Sequence, residues 1–283
     1  MNSNLPDDWS PADNPYAIAL SESSWLCATV ALTVKRMHDD DVQAGWFSSR
    51  QIDARTLVVA LRQLLAAVKL ERIALTDLGM PAAVIAALDE AEQAFLDALP
   101  DIKHVRDGLT HFEDWARGMG SGPQAAARKN AAAPRDVARD FWSFAYDPAT
   151  ETVTMGPFTF SASAAVPAAG ALRAAIYAAT REVDQRTMAE LHAEVVQALT
   201  DAKVPCTSLQ DQVRVLQGHD VQIRLSFELD RVPDTEREEL AERVATALAD
   251  AGLRLASSLF PQALDMTERL VVGEVLRVER GSP

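Results

Sequence analysis

The stretch KHVRDGLTHFEDWARG (Lys103–Gly118) gathers the residue types that proton transfer at a phosphate requires. Arg106 carries a planar, permanently charged fork that matches phosphate oxygens. His111 can take or give a proton near neutral pH, and an acid beside it favours its charged form. Asp107 precedes His111 by four residues, the spacing at which two side chains meet on a helix surface. An arginine that holds charge on phosphoryl oxygens, with a histidine that moves the proton of a 2′-hydroxyl or a leaving oxygen, is a minimal set for cleaving RNA without a metal. Arg106, Asp107 and His111 are therefore the candidate catalytic residues. His104 and Thr110, on the same stretch, are the candidates for touching substrate.

These residues need a helix to position them. Ile102, Val105, Leu109, Phe112 and Ala116 recur at steps of three and four, which predicts one helix from Pro100–Asp101 to Gly118 with a single apolar stripe. At roughly 100° per residue, His111 lies about 130° from the centre of that stripe, with Asp107 and Asp114 on its side and Arg106 on the flank. Such a strip is convex, whereas active sites are concave. A two-fold homodimer that sets the strip against its own copy would supply the cleft, because an isologous interface presents the same patch twice.

Three further helices are expected before this one. They run from about Glu22 to Met37, from an Asp53 cap to about Ile73, and from Pro81 to about Leu99. The Gly-, Ala- and Pro-rich run at 118–136 reads as a flexible loop, and its Arg128, Lys129 and Arg135 as solvated linker charges, although they are also the one local basic spot near the motif. A β-hairpin is expected at 141–160, where Trp142, Phe144 and Tyr146 alternate before a DPAT turn. These aromatics could stack bases, but an aromatic hairpin face is more economically a core face. A long helix from about Ala164 to Ala202 follows, with a boundary near Pro205. The last segment alternates as strands at Val221–Asp230 and 269–280, around an amphipathic helix that Gly252 stops. The expected fold is mainly α, a helical domain over 16–204 with an inserted hairpin and a small α+β module at 205–283.

Composition limits the chemistry. With 41 acidic against 27 basic residues the net charge is -14, unsuited to broad phosphate-backbone binding, so RNA contact needs a local cation or a partner. Cys27 and Cys206 lack neighbours at metal-ligand spacing, and neither a metal nor a cofactor is expected. No uninterrupted run reaches the roughly 20 apolar residues of a membrane span. The acidic, Pro-containing leader at 1–15 reads as disordered and is unlike a secretory signal. A cytoplasmic, bacterial-type protein without membrane association is expected.

RDGLTH resembles the motif of the HEPN superfamily: an Arg, then Asn, Asp or His, then a few residues and a His, on a late helix of an up-and-down bundle. The resemblance covers at most about residues 15–200. It implies a dimeric, metal-independent endoribonuclease of a toxin–antitoxin or phage-defence system, with Arg106 and His111 catalytic and Asp107 the supporting polar residue. RNA would be the substrate, and an antitoxin or defence-system protein a partner. The alternatives are a non-catalytic HEPN-like scaffold that binds a partner protein, and nucleotide binding without turnover. Taken without its helical context, the same trio is also what a wet helix face ordinarily carries.

Overall fold

The computed structural model describes residues 10–39, 41–204, 208–215, 219–226, 233–256 and 276–280. A short 3-10 turn, Pro11–Asp13, leads into α1 (Pro15–His38), which Pro15 opens at its first position. The disordered leader expected at 1–15 lies outside the described residues over 1–9. A two-strand hairpin, β1 (Gln43–Ala44) and β2 (Phe47–Ser48), turns the chain into α2 (Ser49–Asp77).

α2 starts before the cap that the sequence suggests. Ser48 is the N-cap, its side chain accepting from the Gln51 N–H, and Asp53 sits a turn inside the helix, 3% exposed. Asp53 faces Arg36 of α1, which donates to both of its carboxylate oxygens through Nε and Nη2. With Ser48 capping the helix through the Gln51 N–H, Asp53 is released for a cross-helix role on the same face as Ala54, Leu57 and Val58.

α1 and α2 form the main helix pair of the bundle. α2 buries Leu57, Leu61, Leu64, Val68 and Leu75, at the i, i+4, i+7 spacing of an apolar stripe, and α1 buries Val30, Val34 and Met37. By length and composition α1 could cross a bilayer, with a mean hydropathy of 1.4 over its best 18-residue window. Ser21, Glu22, Ser23 and Ser24 interrupt it, so it contains no uninterrupted apolar run of spanning length. Here the helix packs on α2 and is tied to it by a charged pair.

α2 ends at Gly79, whose φ of +61° lets the Met80 N–H reach back to the Leu75 carbonyl. α3 (Ala82–Ala98) then folds back, and Arg72 of α2 clamps it through Asp89 (2.7 Å) and Glu92 (2.5 Å). α4 (Ile102–Thr110) and α5 (Phe112–Trp115) follow, separated at His111. The run expected as a flexible loop carries α6 (Pro123–Lys129) and the start of α7 (Pro134–Phe141), each opened by a proline at its first turn and, in α6, sustained by alanines.

In place of a single hairpin there is a three-stranded antiparallel meander: β3 (Phe144–Asp147), β4 (Thr152–Met155) and β5 (Phe158–Ser161). Asp147 closes the first turn, accepting from the Ala149 N–H and the Thr150 hydroxyl. Gly156, at φ +56°, makes the second, where a Cβ would lie 2.6 Å from the Phe141 carbonyl. Side chains bond to both outer strands. The Gln51 amide exchanges two hydrogen bonds with the Tyr146 backbone (2.9 and 3.0 Å), and the Asp101 carboxylate accepts from the Thr159 N–H at 3.3 Å.

α8 (Ala165–Asp201) is a single 37-residue helix. The chain divides within it: Pro11–Thr180 is one compact unit, and Arg181–Pro283 belongs to the other. The boundary expected at Pro205 lies outside the described residues. In the second unit, β6 (Ser208–Val215), β7 (His219–Ser226), β8 (Leu253–Ala256) and β9 (Leu276–Arg280) form an antiparallel sheet in the order β6-β7-β9-β8. α9 (Asp234–Asp250) buries Leu240, Val244 and Leu248, an i, i+4, i+8 stripe. The expected strands at Val221–Asp230 and 269–280 correspond to β7 and β9, with 227–230 and 269–275 outside the described residues. β6 and β8 were not foreseen. The molecule is mainly α-helical with small antiparallel sheets.

Two outcomes follow. Arg36→Ala leaves a buried carboxylate without its cation and should cost about 3 kcal/mol, whereas Asp53→Asn leaves a half-exposed arginine that water can serve and should cost about 1 kcal/mol. Urea unfolding of both variants checks the asymmetry. Hydrogen bonds from the Ala149 N–H and Thr150 hold the Asp147 carboxyl below its ordinary range. Its stabilisation is therefore present above the unfolded value of about 3.9 and lost as pH falls through the lower folded value. The difference in urea midpoint between wild type and Asp147→Asn should be flat above that value and shrink below it.

Candidate functional site

The motif lies on α4, which Asp101 starts from a left-handed backbone (φ +64°). Ile102, Val105 and Gly108 make its buried face, with Leu109 half-buried. Gly108 is needed there because a Cβ would lie 2.8 Å from the Met155 side chain. The expected continuous helix breaks at His111 (φ -110°, ψ 42°). This resets the register: Phe112, expected on the stripe, is 58% exposed, and Trp115 is buried to 1%. Trp115 packs edge-on against Phe141 and Phe158, with ring centroids 6.4 and 6.1 Å away. Burying an indole removes on the order of 200 Å² from water. At about 25 cal/mol per Å² that is worth about 5 kcal/mol, offset in part by the Phe112 ring left exposed and by roughly 1 kcal/mol for each helix hydrogen bond lost at the break.

α5 closes through Gly118 (φ +69°). The Met119 N–H reaches the Asp114 carbonyl (2.8 Å) and the Gly118 N–H reaches that of Trp115 (3.0 Å). Gln124, fully buried on α6, accepts from the Gly120 N–H (2.7 Å) and donates to the Trp115 carbonyl (3.1 Å). Arg128, at the end of α6, donates to the carbonyls of Gly118, Met119 (3.3 Å) and Gly120 (3.0 Å). Loop 118–122 is thus held on both sides, and between it and α5 opens a cleft of about 510 Å³ lined by His111, Asp114, Met119, Gly120, Ser121, Ala125 and Arg128.

The five sequence candidates separate. His111 is exposed and lines the cleft. Asp107 turns away from it: Arg106 Nη1 donates to Asp107 Oδ1 at 2.6 Å, and among the described residues no hydrogen bond joins Asp107 to the His111 imidazole. The i,i+4 pairing is replaced by an ion pair between chain neighbours, since the fixed charge of Arg106 outcompetes an imidazole. Arg106 is half-buried and does not line the cleft. His104 is half-buried and stacked on Phe158, ring centroids 4.5 Å apart. Thr110 is exposed as the last residue of α4.

Sequence reasoning placed Asp114 on the His111 side of the helix, weighed Arg128 only as part of a basic spot, and passed over Gln124. Arg128 left a trace, as a member of the basic trio in the presumed linker. Gln124 left none, because nothing local marks a glutamine for burial. Among the described residues, no three His, Cys, Asp or Glu side chains converge as a metal site would require. No family model, curated protein or solved structure matches this chain.

The cleft depends on the absence of a side chain at Gly120. A Cβ there would lie 2.7 Å from Cδ1 and Nε1 of Trp115 and 2.8 Å from Gln124 Oε1. Gly120→Ala should therefore destabilise the protein by about 1–3 kcal/mol through overpacking and alter the Trp115 environment, read by thermal melting and near-ultraviolet circular dichroism.

Proposed function

We propose that the chain is a HEPN-like endoribonuclease of a toxin–antitoxin or phage-defence system, cytoplasmic, working without a metal as a homodimer. The observation that carries the reading is the position of His111: its imidazole is exposed on the wall of a cleft of about 510 Å³. This meets the objection that a strip on an unbroken helix has no concavity, because the break at His111 and the loop after α5 create one within a single chain.

In this reaction one His111 takes the proton of the ribose 2′-hydroxyl. The 2′-oxygen bonds to phosphorus as the bond from phosphorus to the 5′-oxygen breaks, leaving a 2′,3′-cyclic phosphate. The His111 of a second copy, in its charged form, gives a proton to the departing 5′-oxygen, so the two copies divide the acid and base roles. Arg106, with Asp107 to hold its fork, faces the partner across the two-fold, and His104 and Thr110 flank the strand.

One observation favours a second reading, a non-catalytic scaffold that binds a partner protein or nucleotide. Trp46, at the tip of the β1–β2 hairpin, is 98% exposed on a turn whose base is tied by Asp41 to the Ser48 and Ser49 hydroxyls. A preorganised, exposed tryptophan is the kind of anchor that interface hot spots use.

Purified protein incubated with single-stranded RNA decides between them. The nuclease reading expects cyclic-phosphate products and a loss of about 10²–10⁴-fold in rate for His111→Ala. Light scattering on a sizing column should give twice the chain mass. Cleavage unchanged in His111→Ala would reject the assignment, and a monomer that fails to cleave, but whose Trp46→Ala variant loses a partner, would favour the scaffold.

A further inference from the structure

We propose that Arg128 is the anion-binding group of the His111 cleft, which makes the cleft a site for a phosphate monoester or diester; the role of His111 as the group that acts beside it rests on the nuclease reading. Arg106 was the obvious cation from the motif, but it gives a hydrogen bond at 2.6 Å to Asp107 and lies outside the cleft lining. Arg128 is the reverse case. It lines the cleft with His111, and among the described residues it forms no ion pair with an acid. Its partners are three backbone carbonyls, which orient the guanidinium without cancelling its charge. Three of the five N–H donors of an arginine are so occupied, and two are left for a ligand.

The surroundings favour a small oxyanion over a second acidic side chain. Besides His111 and Asp114, the lining around Arg128 is Met119, Gly120, Ser121 and Ala125, all uncharged, and Ser121 is exposed. The one acid on the wall, Asp114, lies 3.8 Å from Arg117 and is half engaged by it. Arg128 is half-buried, so its field is less screened than that of a fully exposed side chain. A phosphate held there would stand beside the His111 imidazole, where a proton-transferring group is needed. In a chain of net charge -14, one uncancelled, oriented arginine also answers how an acidic protein could hold a phosphate at all.

The test is nuclear magnetic resonance on the intact chain, titrated with inorganic phosphate and separately with a 3′-nucleoside monophosphate, observing the His111 ring protons. His111→Gln identifies those protons among the five histidines. Saturable shifts are expected in the wild type, with binding weakened about tenfold to a hundredfold in Arg128→Gln, as for loss of a charged hydrogen bond. Lys129→Gln, which removes the same charge one residue along, should bind like wild type. Arg128 also ties the loop, so a second variant guards against misfolding: Asp114→Asn removes a like charge and should tighten phosphate binding about threefold. Wild-type affinity in Arg128→Gln, or no phosphate-dependent shift in the wild type, overturns the proposal. Unchanged affinity in Asp114→Asn overturns it too. Absence of RNA cleavage with the shifts intact removes the nuclease reading and leaves the anion site standing.

Discussion

Burial of the Trp115 indole is the constraint on which the region around the motif depends. Its ring completes a cluster with Phe141 and Phe158, and an unbroken helix would place Phe112 and Ala116 on the core side instead. The chain resolves the conflict at His111, where one residue leaves helical geometry and the following turn rotates. The same residue thereby becomes the exposed end of one helix and the start of another. The carbonyl of Trp115 then fixes the buried amide of Gln124, which fixes Gly120, and the loop between them becomes a wall. Packing of a large side chain thus produces the concavity, and the polar residues inherit it.

A second theme is how an acidic chain disposes of its cations. Arg36, Arg72, Arg106 and Arg139 are each matched to one or two carboxylates, mostly across helices or along one turn. With 41 acids to 27 bases such matching is the default. An arginine satisfied by carbonyls keeps its field, and Arg128 is such a case. Its three carbonyls are available because α5 ends in a glycine turn that points them the same way.

Periodicity made the helices and their order legible. The stripes of α2 and α9 follow directly from leucine and valine spacing, and Pro81 sits where a helix begins. The failures have physical causes. Asp53 looked like a cap because caps are local, and its actual role, pairing with Arg36 across the bundle, is not. The run 118–136 looked flexible from its glycines and prolines, although here glycines end one helix and prolines start two others. RDGLTH placed His111 correctly as an exposed residue, but the i,i+4 rule paired it with Asp107 without weighing the adjacent Arg106. Trp115 was invisible as a core residue because the stripe template assumes that the helix continues.

The three-stranded sheet offers a last consequence. Side chains from outside the sheet occupy its borders: the Gln51 amide imitates a neighbouring strand at Tyr146, and the Asp101 carboxylate takes the Thr159 N–H. Such a sheet has few backbone groups to offer another chain, so edge-to-edge association between molecules is disfavoured. A protein that bound RNA, or assembled with a partner, would need to stay monodisperse while doing so. At this sheet the capped groups oppose such association independently of what the cleft holds.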